Sequence, residues 1–137
     1  MAVHVLIMAG GNGTRFWPVS TPEKPKQYTN LASNDTLIQQ SIKRSLEFAN
    51  SENIYIVTVA GQKDLAVEQT IGFIPEKNII IEPEGRNTAP CIFLGVLEIL
   101  NKGIKVNLFC LLLIETITNF ILRKETLFLI YSKFLKI

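Results

Sequence analysis

Apolar runs of strand length alternate with segments of helical periodicity along about the first hundred residues of the chain. Almost unbroken apolar runs occupy residues 3–9, 53–59 and 78–82, and a fourth run starts at Val106. Such runs are typical of strands that are buried on both faces of a parallel sheet. Because strands and helices alternate, the pattern predicts an α/β fold of three layers, with a mostly parallel sheet between helices.

Three helices are predicted between these strands. The first begins after Asn34-Asp35-Thr36, which offers a helix N-cap. The residues that recur in it at helical spacing are Ile38, Ile42, Ser45, Leu46 and Ala49. The second spans residues 62–70, and the third spans residues 88–102, with Pro90 in its first turn and Gly103 at its end. The predicted apolar face of the third helix consists of Ala89, Ile92, Phe93, Val96, Ile99 and Leu100.

A glycine-rich loop with cationic neighbours, "GGNGTRFWP", follows the first predicted strand. Glycine lets the backbone approach a ligand closely, and successive backbone N–H groups can then form an anion-binding concavity. The guanidinium of Arg15 and the ammonium of Lys26 suit phosphate oxygens. Since ligands of parallel sheets bind at the carboxyl ends of the strands, this stretch predicts a triphosphate site. A tight turn with a surface arginine is the alternative interpretation of the same residues.

Two common phosphate-binding motifs do not fit this loop. A P-loop requires G-x-x-x-x-G-K-S/T, which the sequence lacks. The dinucleotide fingerprint G-x-G-x-x-G is only half present, because Phe16 occupies the third glycine position. An NAD-binding domain also needs an acidic residue after the second strand, which instead ends Thr58-Val59-Ala60-Gly61. An NAD-binding oxidoreductase domain is therefore the weaker alternative.

Two longer segments resemble the signatures of the sugar-nucleotide pyrophosphorylases. "GGNGTRFWP" followed by "PKQY" is similar to G-G-x-G-T-R, an apolar residue, x and P, and then P-K. "EPEGRNTAP", residues 82–90, is similar to E-P-x-x-R-N-T-A-P, and "FWPVS" and "PKQY" resemble the mannose-1-phosphate guanylyltransferases most. The resemblance covers residues 3 to about 106. It implies a Rossmann-like nucleotidyltransferase fold and the reaction of GTP with mannose 1-phosphate to give GDP-mannose and pyrophosphate. A related nucleotidyltransferase for another base or sugar is an alternative.

The resemblance also implies roles for individual residues. Arg15 is expected to neutralise charge on the leaving pyrophosphate, and Lys26 to contact the α-phosphate region. The residues expected to line the nucleotide with backbone N–H groups are Gly10, Gly11, Gly13 and Thr14. The residues expected in the nucleotide pocket beyond the third strand, near the base, are Glu82, Gly85, Arg86 and Asn87. Alternatively, Asn87-Thr88 serves only as a helix N-cap.

The sequence departs from the family pattern where a metal ligand is expected. In the family, a P-A/S-D-H motif ends the fourth strand, and its aspartate holds the catalytic Mg²⁺. The corresponding residues 111–115 read "LLLIE", and neither Asp nor His occurs after Asp64. The resemblance therefore implies Mg²⁺ as the cofactor, but no residue is assigned as its ligand. A nucleotide-binding fragment without turnover is a second alternative function.

Bulk properties exclude several other classes of protein. The formal net charge of +2 gives no basic field for nucleic acid, and Cys91 and Cys110 have neither metal-site spacing nor a disulfide framework. The N-terminus lacks the pattern of a secretion signal. Side chains that are more often structural are expected in the interior: His4 in the first strand, Cys91 in the core, and Trp17 in packing. These features predict one domain in the cytoplasm, without a membrane partner.

The composition changes after residue 106. All 8 glycines and all 6 prolines lie before residue 104, whereas residues 107–137 are dominated by Leu, Ile and Phe. This tail is a buried strand plus a helix, a membrane segment, or the product of a frameshift. The apolar run of residues 108–122 contains Glu115 and Asn119 and is shorter than the roughly 20 residues of a spanning helix. We favour the frameshift, with residues 1–106 as the N-terminal part of a nucleotidyltransferase domain and residues 107–137 as a divergent apolar tail.

The frameshift hypothesis predicts that another reading frame downstream of codon 104 encodes a P-A/S-D-H-like motif and a long continuation. A shifted frame scrambles residue identity but keeps base composition, so an AT-rich gene would yield the Leu, Ile, Phe, Lys and Asn excess. The check is translation of the downstream DNA in all three frames. If no other frame encodes such a motif, the hypothesis is wrong.

Overall fold

The computed structural model describes residues 3–11, 17–31, 33–85 and 87–103, together with the backbone of residues 107–111. The strands in these ranges are β1 (Val3–Met8), β2 (Ile54–Val59), β3 (Ile79–Glu82) and β4 (Asn107–Leu111). They form one sheet in the spatial order β3-β2-β1-β4, in which every neighbouring pair is parallel. The predicted α/β fold with a parallel sheet is confirmed, and all four predicted strands are present.

Three α-helices lie between the strands in the sequence. They are α1 (Leu37–Leu46), α2 (Lys63–Thr70) and α3 (Thr88–Asn101). Single turns of 3₁₀ helix occupy Lys26–Tyr28, Ser51–Asn53, Ala60–Gln62 and Glu76–Asn78. Within the predicted N-cap segment Asn34-Asp35-Thr36, the N-cap of α1 is Thr36, whose backbone N–H donates to Gln39 Oε1 at 3.0 Å. Gly103 follows α3 with φ +72° and donates its N–H to Leu100 O at 2.9 Å, as a C-terminal glycine does.

The sheet separates two apolar cores, because successive side chains of a strand point to opposite faces. The core on the side of α1 and α2 contains Val5, Ile7, Ala9, Tyr28, Ile38, Ile42, Ile54, Ile56, Ala66 and Ile74. The core on the side of α3 contains Leu6, Tyr55, Val57, Ile80, Cys91 and Ile99. Both faces of the sheet are therefore covered, which explains why the strands read as unbroken apolar runs. The buried positions expected for His4 and Cys91 are also observed.

The prediction for the buried face of α3 was partly wrong. The buried residues of this helix are Cys91, Gly95 and Ile99, whereas Phe93 is 57% exposed and Leu100 is 45% exposed. The helix is apolar on more than one face, so spacing alone does not select the face that meets the sheet. Trp17, which was expected to pack in the interior, is 79% exposed.

Most of the tail lies outside the described residues. The backbone of Asn107–Leu111 pairs in parallel with β1, with Val3 opposite Asn107. Residues 112–137 lie outside the described ranges, so the domain boundary at residue 106 and the frameshift stay predictions. Among the helices of the described segments, none has the length and apolar character needed to cross a membrane.

A glycine sets the distance between α3 and the sheet. A Cβ atom added at Gly95 would lie 2.5 Å from Leu6 Cδ2 and 2.6 Å from Leu6 Cδ1. Leu6 is fully buried, so it has little room to move away. Gly95 therefore permits a close helix–sheet contact that no other residue type would allow without rearrangement.

We expect Gly95→Ala to lower the free energy of unfolding by on the order of 1 kcal/mol, measured by urea denaturation followed by circular dichroism. Overpacking costs about 1–3 kcal/mol, which exceeds the gain of about 1 kcal/mol in helix propensity. The matched control is Gly61→Ala, since a Cβ at Gly61 meets nothing within 4 Å. Equal stability of the two variants would contradict the proposed role of the close contact.

Candidate functional site

The carboxyl ends of three strands bring distant parts of the sequence together. Gly10 follows β1, Val59 ends β2 and Glu82 ends β3. A Cβ added at Gly10 would lie 3.6 Å from Glu82 Oε2 and 3.6 Å from Val59 Cγ1. A Cβ added at Gly85 would lie 3.5 Å from the same Val59 methyl group. The glycine loop and the segment after β3 thus meet over the side chain of Val59.

Only some of the predicted site residues fall within the described ranges. Gly10, Gly11, Glu82, Gly85 and Asn87 are described, and Gly11 has the left-handed φ of +104° that favours glycine. The predicted site residues outside the described ranges are Gly13, Thr14, Arg15 and Arg86. The role expected for Arg15, at the leaving pyrophosphate, therefore stays a prediction.

Lys26 opens the 3₁₀ turn that lies against the glycine loop. Its side chain is half-buried, and its carbonyl accepts hydrogen bonds from Thr29 N–H at 3.1 Å and from Thr29 Oγ1 at 2.7 Å. The next residue, Gln27, reaches the loop directly, with its Nε2 3.0 Å from Ala9 O. The backbone of Lys26 is thereby fixed close to the end of β1.

Asn87 has an unusual backbone conformation. Its φ of +76° and ψ of −178° lie in a region that is essentially restricted to glycine and costs about 1–3 kcal/mol for other residues. It occupies the N-cap position of α3, but no side-chain hydrogen bond from it caps the helix within the described residues. Asn87 is thus an N-cap by position only, and such strained residues cluster at ligand sites.

A buried pair of glutamines, which no sequence pattern indicated, lies beneath the glycine loop. Gln27 Nε2 donates to Ala9 O at 3.0 Å and to Gln62 Oε1 at 2.9 Å, and lies 3.2 Å from Gly11 O. Gln62 Nε2 also donates to Gly11 O at 3.0 Å. Both side chains are buried, although they come from segments 35 residues apart. Gln27 lies in the motif "PKQY", but its contact with Gln62 exists only in the folded chain.

Two hydroxyl groups extend this network into the core. Tyr28 Oη and Thr58 Oγ1 are 3.1 Å apart, and Thr58 Oγ1 donates to Ala9 O at 3.2 Å. Burial raises the pKa of the Tyr28 phenol above its usual value of 10.0, and the hydrogen bond with Thr58 opposes this shift in pKa. Thr58 is the one threonine of the apolar run "NIYIVTV", and a polar residue in such a run indicates a buried polar contact.

The resemblance implies Mg²⁺ as the cofactor, and its protein ligands are not assigned among the described residues. Within these ranges, no group of three or more His, Cys, Asp or Glu side chains could hold a metal ion. Glu82, which is 6% exposed, is the carboxylate that lies beside Gly10. Mg²⁺ in phosphate-transferring sites is commonly bound through one or two carboxylates together with substrate phosphates and water.

A parallel sheet with helices on both faces and a glycine loop at the carboxyl end of β1 is the arrangement typical of α/β nucleotide-binding domains. The model of the nucleotidyl transferase family matches residues 4–117, and the chain belongs to this family.

Curated relatives and a solved structure are similar to the same part of the chain. The alginate biosynthesis protein AlgA of Pseudomonas putida is 35% identical over 99 residues, which are 72% of this chain and 20% of AlgA. A mannose-1-phosphate guanylyltransferase of Escherichia coli is 38% identical over 93 residues, 67% of this chain and 20% of that protein. A crystal structure described as a mannose-1-phosphate geranyltransferase from Thermus thermophilus superimposes with a TM-score of 0.71 at 31% identity. The alignment covers 82% of this chain and 32% of that one.

The chain spans about a fifth of the length of the curated relatives that it matches. The matched family region extends to residue 117 and so includes β4. These likenesses confirm the family resemblance that the two sequence motifs indicated.

The raised pKa of Tyr28 predicts how stability depends on alkaline pH. A folded-state pKa above the unfolded value of 10.0 stabilises the fold at lower pH. This contribution is lost as the pH rises above about 10 through the folded-state pKa. We expect Tyr28→Phe to reduce the loss of unfolding free energy between about pH 9 and 11, measured by urea denaturation at each pH.

The comparison variant is Tyr55→Phe, because burial also raises the pKa of Tyr55, which lies on the other face of the sheet. Each substitution should remove a separate part of the pH dependence of the unfolding free energy. A Tyr28→Phe curve parallel to that of the unmodified chain would show that the phenol does not ionise with unfolding.

Proposed function

We propose that the chain binds GTP at the carboxyl edge of its sheet, as part of an enzyme that transfers a guanylyl group to mannose 1-phosphate. The observation that carries this proposal is the meeting of Gly10, Glu82 and Gly85 over Val59 at that edge. The family match and the likeness to mannose-1-phosphate guanylyltransferases support it. The residues that meet there come from the two motifs that resemble the family signatures.

The proposed reaction is an in-line displacement at the α-phosphorus of GTP. A phosphate oxygen of mannose 1-phosphate forms a bond to the α-phosphorus, while the bond from that phosphorus to the oxygen bridging to the β-phosphorus breaks. Pyrophosphate leaves and GDP-mannose is formed. Catalysis of such a displacement is mostly positioning and charge neutralisation, so cations beside the phosphates carry most of the effect.

In this proposal, each phosphate-facing group has a distinct task. Arg15 presents a planar fork of donors to the leaving pyrophosphate, and Lys26 places a compact positive charge at the α-phosphate. Backbone N–H groups of Gly10 and Gly11, together with those of Gly13 and Thr14, line the triphosphate.

The segment after β3 is proposed to line the nucleotide near its base. A buried carboxylate repels phosphate but accepts hydrogen bonds from N–H donors, and guanine presents such donors on its Watson–Crick edge. Glu82 is buried, and Gly85 and the strained Asn87 follow it. Together with Arg86, these residues form the proposed base-side wall of the pocket.

A second candidate function is nucleotide binding without turnover. It is favoured by the absence of Asp and His after Asp64, since the family places its metal-binding aspartate beyond that point. Under this candidate, the chain binds GTP but forms little or no GDP-mannose from GTP and mannose 1-phosphate. Chromatographic measurement of GDP-mannose, run beside a binding titration, separates the two functions.

We expect Arg15→Ala and Lys26→Ala each to weaken GTP binding about 10- to 100-fold in isothermal titration of the full chain. The loss of one hydrogen bond to a charged group costs about 1.5–3 kcal/mol, which corresponds to this range. Arg44→Ala and Lys24→Ala are matched controls, because both side chains are exposed and Arg44 instead donates to Ser41 Oγ at 3.0 Å.

The same titration repeated with UTP and ATP tests the base preference. Weaker binding of both nucleotides than of GTP is the expected result. Tighter binding of UTP or ATP than of GTP would favour a related nucleotidyltransferase with another base, and equal affinity for all three would contradict the proposed base preference. Unchanged GTP affinity of Arg15→Ala would contradict the assignment of the phosphate site.

A further inference from the structure

Two backbone carbonyls at the glycine loop are held by buried side-chain donors. Gly11 O accepts from Gln62 Nε2 at 3.0 Å and lies 3.2 Å from Gln27 Nε2. Ala9 O accepts from Gln27 Nε2 at 3.0 Å and from Thr58 Oγ1 at 3.2 Å. Both carbonyls of the loop entrance are thus turned towards the protein interior.

The direction of a carbonyl determines the direction of the next N–H group. A trans peptide is planar, so an inward Ala9 carbonyl leaves the N–H of Gly10 facing the opposite way. Gly10, which follows this peptide, carries no Cβ, and glycine adopts positive and negative φ about equally well. Without the side-chain donors, the Ala9–Gly10 peptide could flip and present a carbonyl oxygen, rather than an N–H group, to an anion.

The two glutamines also fix each other. Gln62 Oε1 accepts from Gln27 Nε2 at 2.9 Å, which leaves Gln62 Nε2 directed at Gly11 O. Both side chains are more than nine-tenths buried, so a lost partner would leave an amide without water to replace it. The pair therefore has one satisfied arrangement, in which its free donors point at the loop.

We infer that Gln27 and Gln62, hereafter the glutamine clasp, are positioning residues that hold the glycine loop in its anion-binding conformation. The clasp does not touch the nucleotide. It acts by keeping carbonyl oxygens inward, so that the loop meets the triphosphate with N–H groups already oriented and needs no reorganisation on binding. This inference rests on the proposed function for its ligand, but the contacts of the clasp stand independently of it.

The test compares Gln62→Met and Gln27→Met with the unmodified chain. Methionine keeps the length of the side chain but donates no hydrogen bond. Gln62→Glu is a second variant of nearly the same shape, in which an ionised carboxylate likewise cannot donate to Gly11 O. The matched control is Gln40→Met, because the Gln40 amide also donates to a backbone carbonyl, Asp35 O at 3.0 Å, but away from the loop.

Three quantities are measured on the full chain: the ¹⁵N order parameter of the Gly10 amide, the Kd for GTP, and Tm. We expect the order parameter to fall from about 0.85 in the unmodified chain to below about 0.6 in the clasp variants. We expect GTP affinity to fall about 5- to 30-fold at a temperature well below each Tm, as the loss of one or two hydrogen bonds implies. Gln40→Met should change neither the order parameter nor the GTP affinity.

The outcomes separate the clasp from the proposed function. Unchanged order parameters in Gln62→Met and Gln62→Glu would overturn the inference, whatever happens to nucleotide binding. Lower order parameters with unchanged GTP affinity would show a structural role only and would also overturn it. If the unmodified chain does not bind GTP, the proposed function fails, and lower order parameters in the variants then support the clasp as the group that orders the loop.

Discussion

The candidate site depends on the hydrogen bonds that the carbonyl of Ala9 accepts, at the point where the chain leaves the sheet after β1. The N–H of Ala9 still donates to Val57 O at 2.7 Å, which continues the ladder between β1 and β2. Its carbonyl accepts instead from the side chains of Gln27 and Thr58. At Ala9, the chain thus changes from regular sheet pairing to a loop whose backbone carbonyl is hydrogen-bonded by side chains. Since buried backbone groups must be paired, these side chains make the exit of the glycine loop from the sheet feasible.

Glycines support the fold and the site through two separate physical properties. At Gly95, the absence of a Cβ sets the distance between α3 and Leu6. At Gly11, the positive φ is the property that matters. The helix on one face of the sheet and the loop at its edge therefore depend on the same residue type for different reasons.

A buried carboxylate lies close to the glycine loop at the carboxyl edge of the sheet. Glu82 has its Oε2 atom beside Gly10, and the half-buried Lys26 begins the turn that packs on the same loop. A carboxylate at this place favours ligand groups that donate hydrogen bonds, whereas a lysine favours phosphate. The proposed orientation of GTP places its phosphates over the loop and its base beyond β3.

The amino-acid sequence determined the elements and the edge of the sheet at which the candidate site is proposed. Unbroken apolar runs identify buried strands because both faces of a parallel sheet are covered, and Thr36 and Gly103 mark helix ends through local backbone chemistry. The tertiary structure decided which face of α3 meets the sheet, because an apolar helix has several candidate faces and the one that packs against Leu6 is the face with Gly95. It also decided the pairing of Gln27 with Gln62, since a contact across 35 residues depends on how β1 and β2 are placed side by side and not on local sequence.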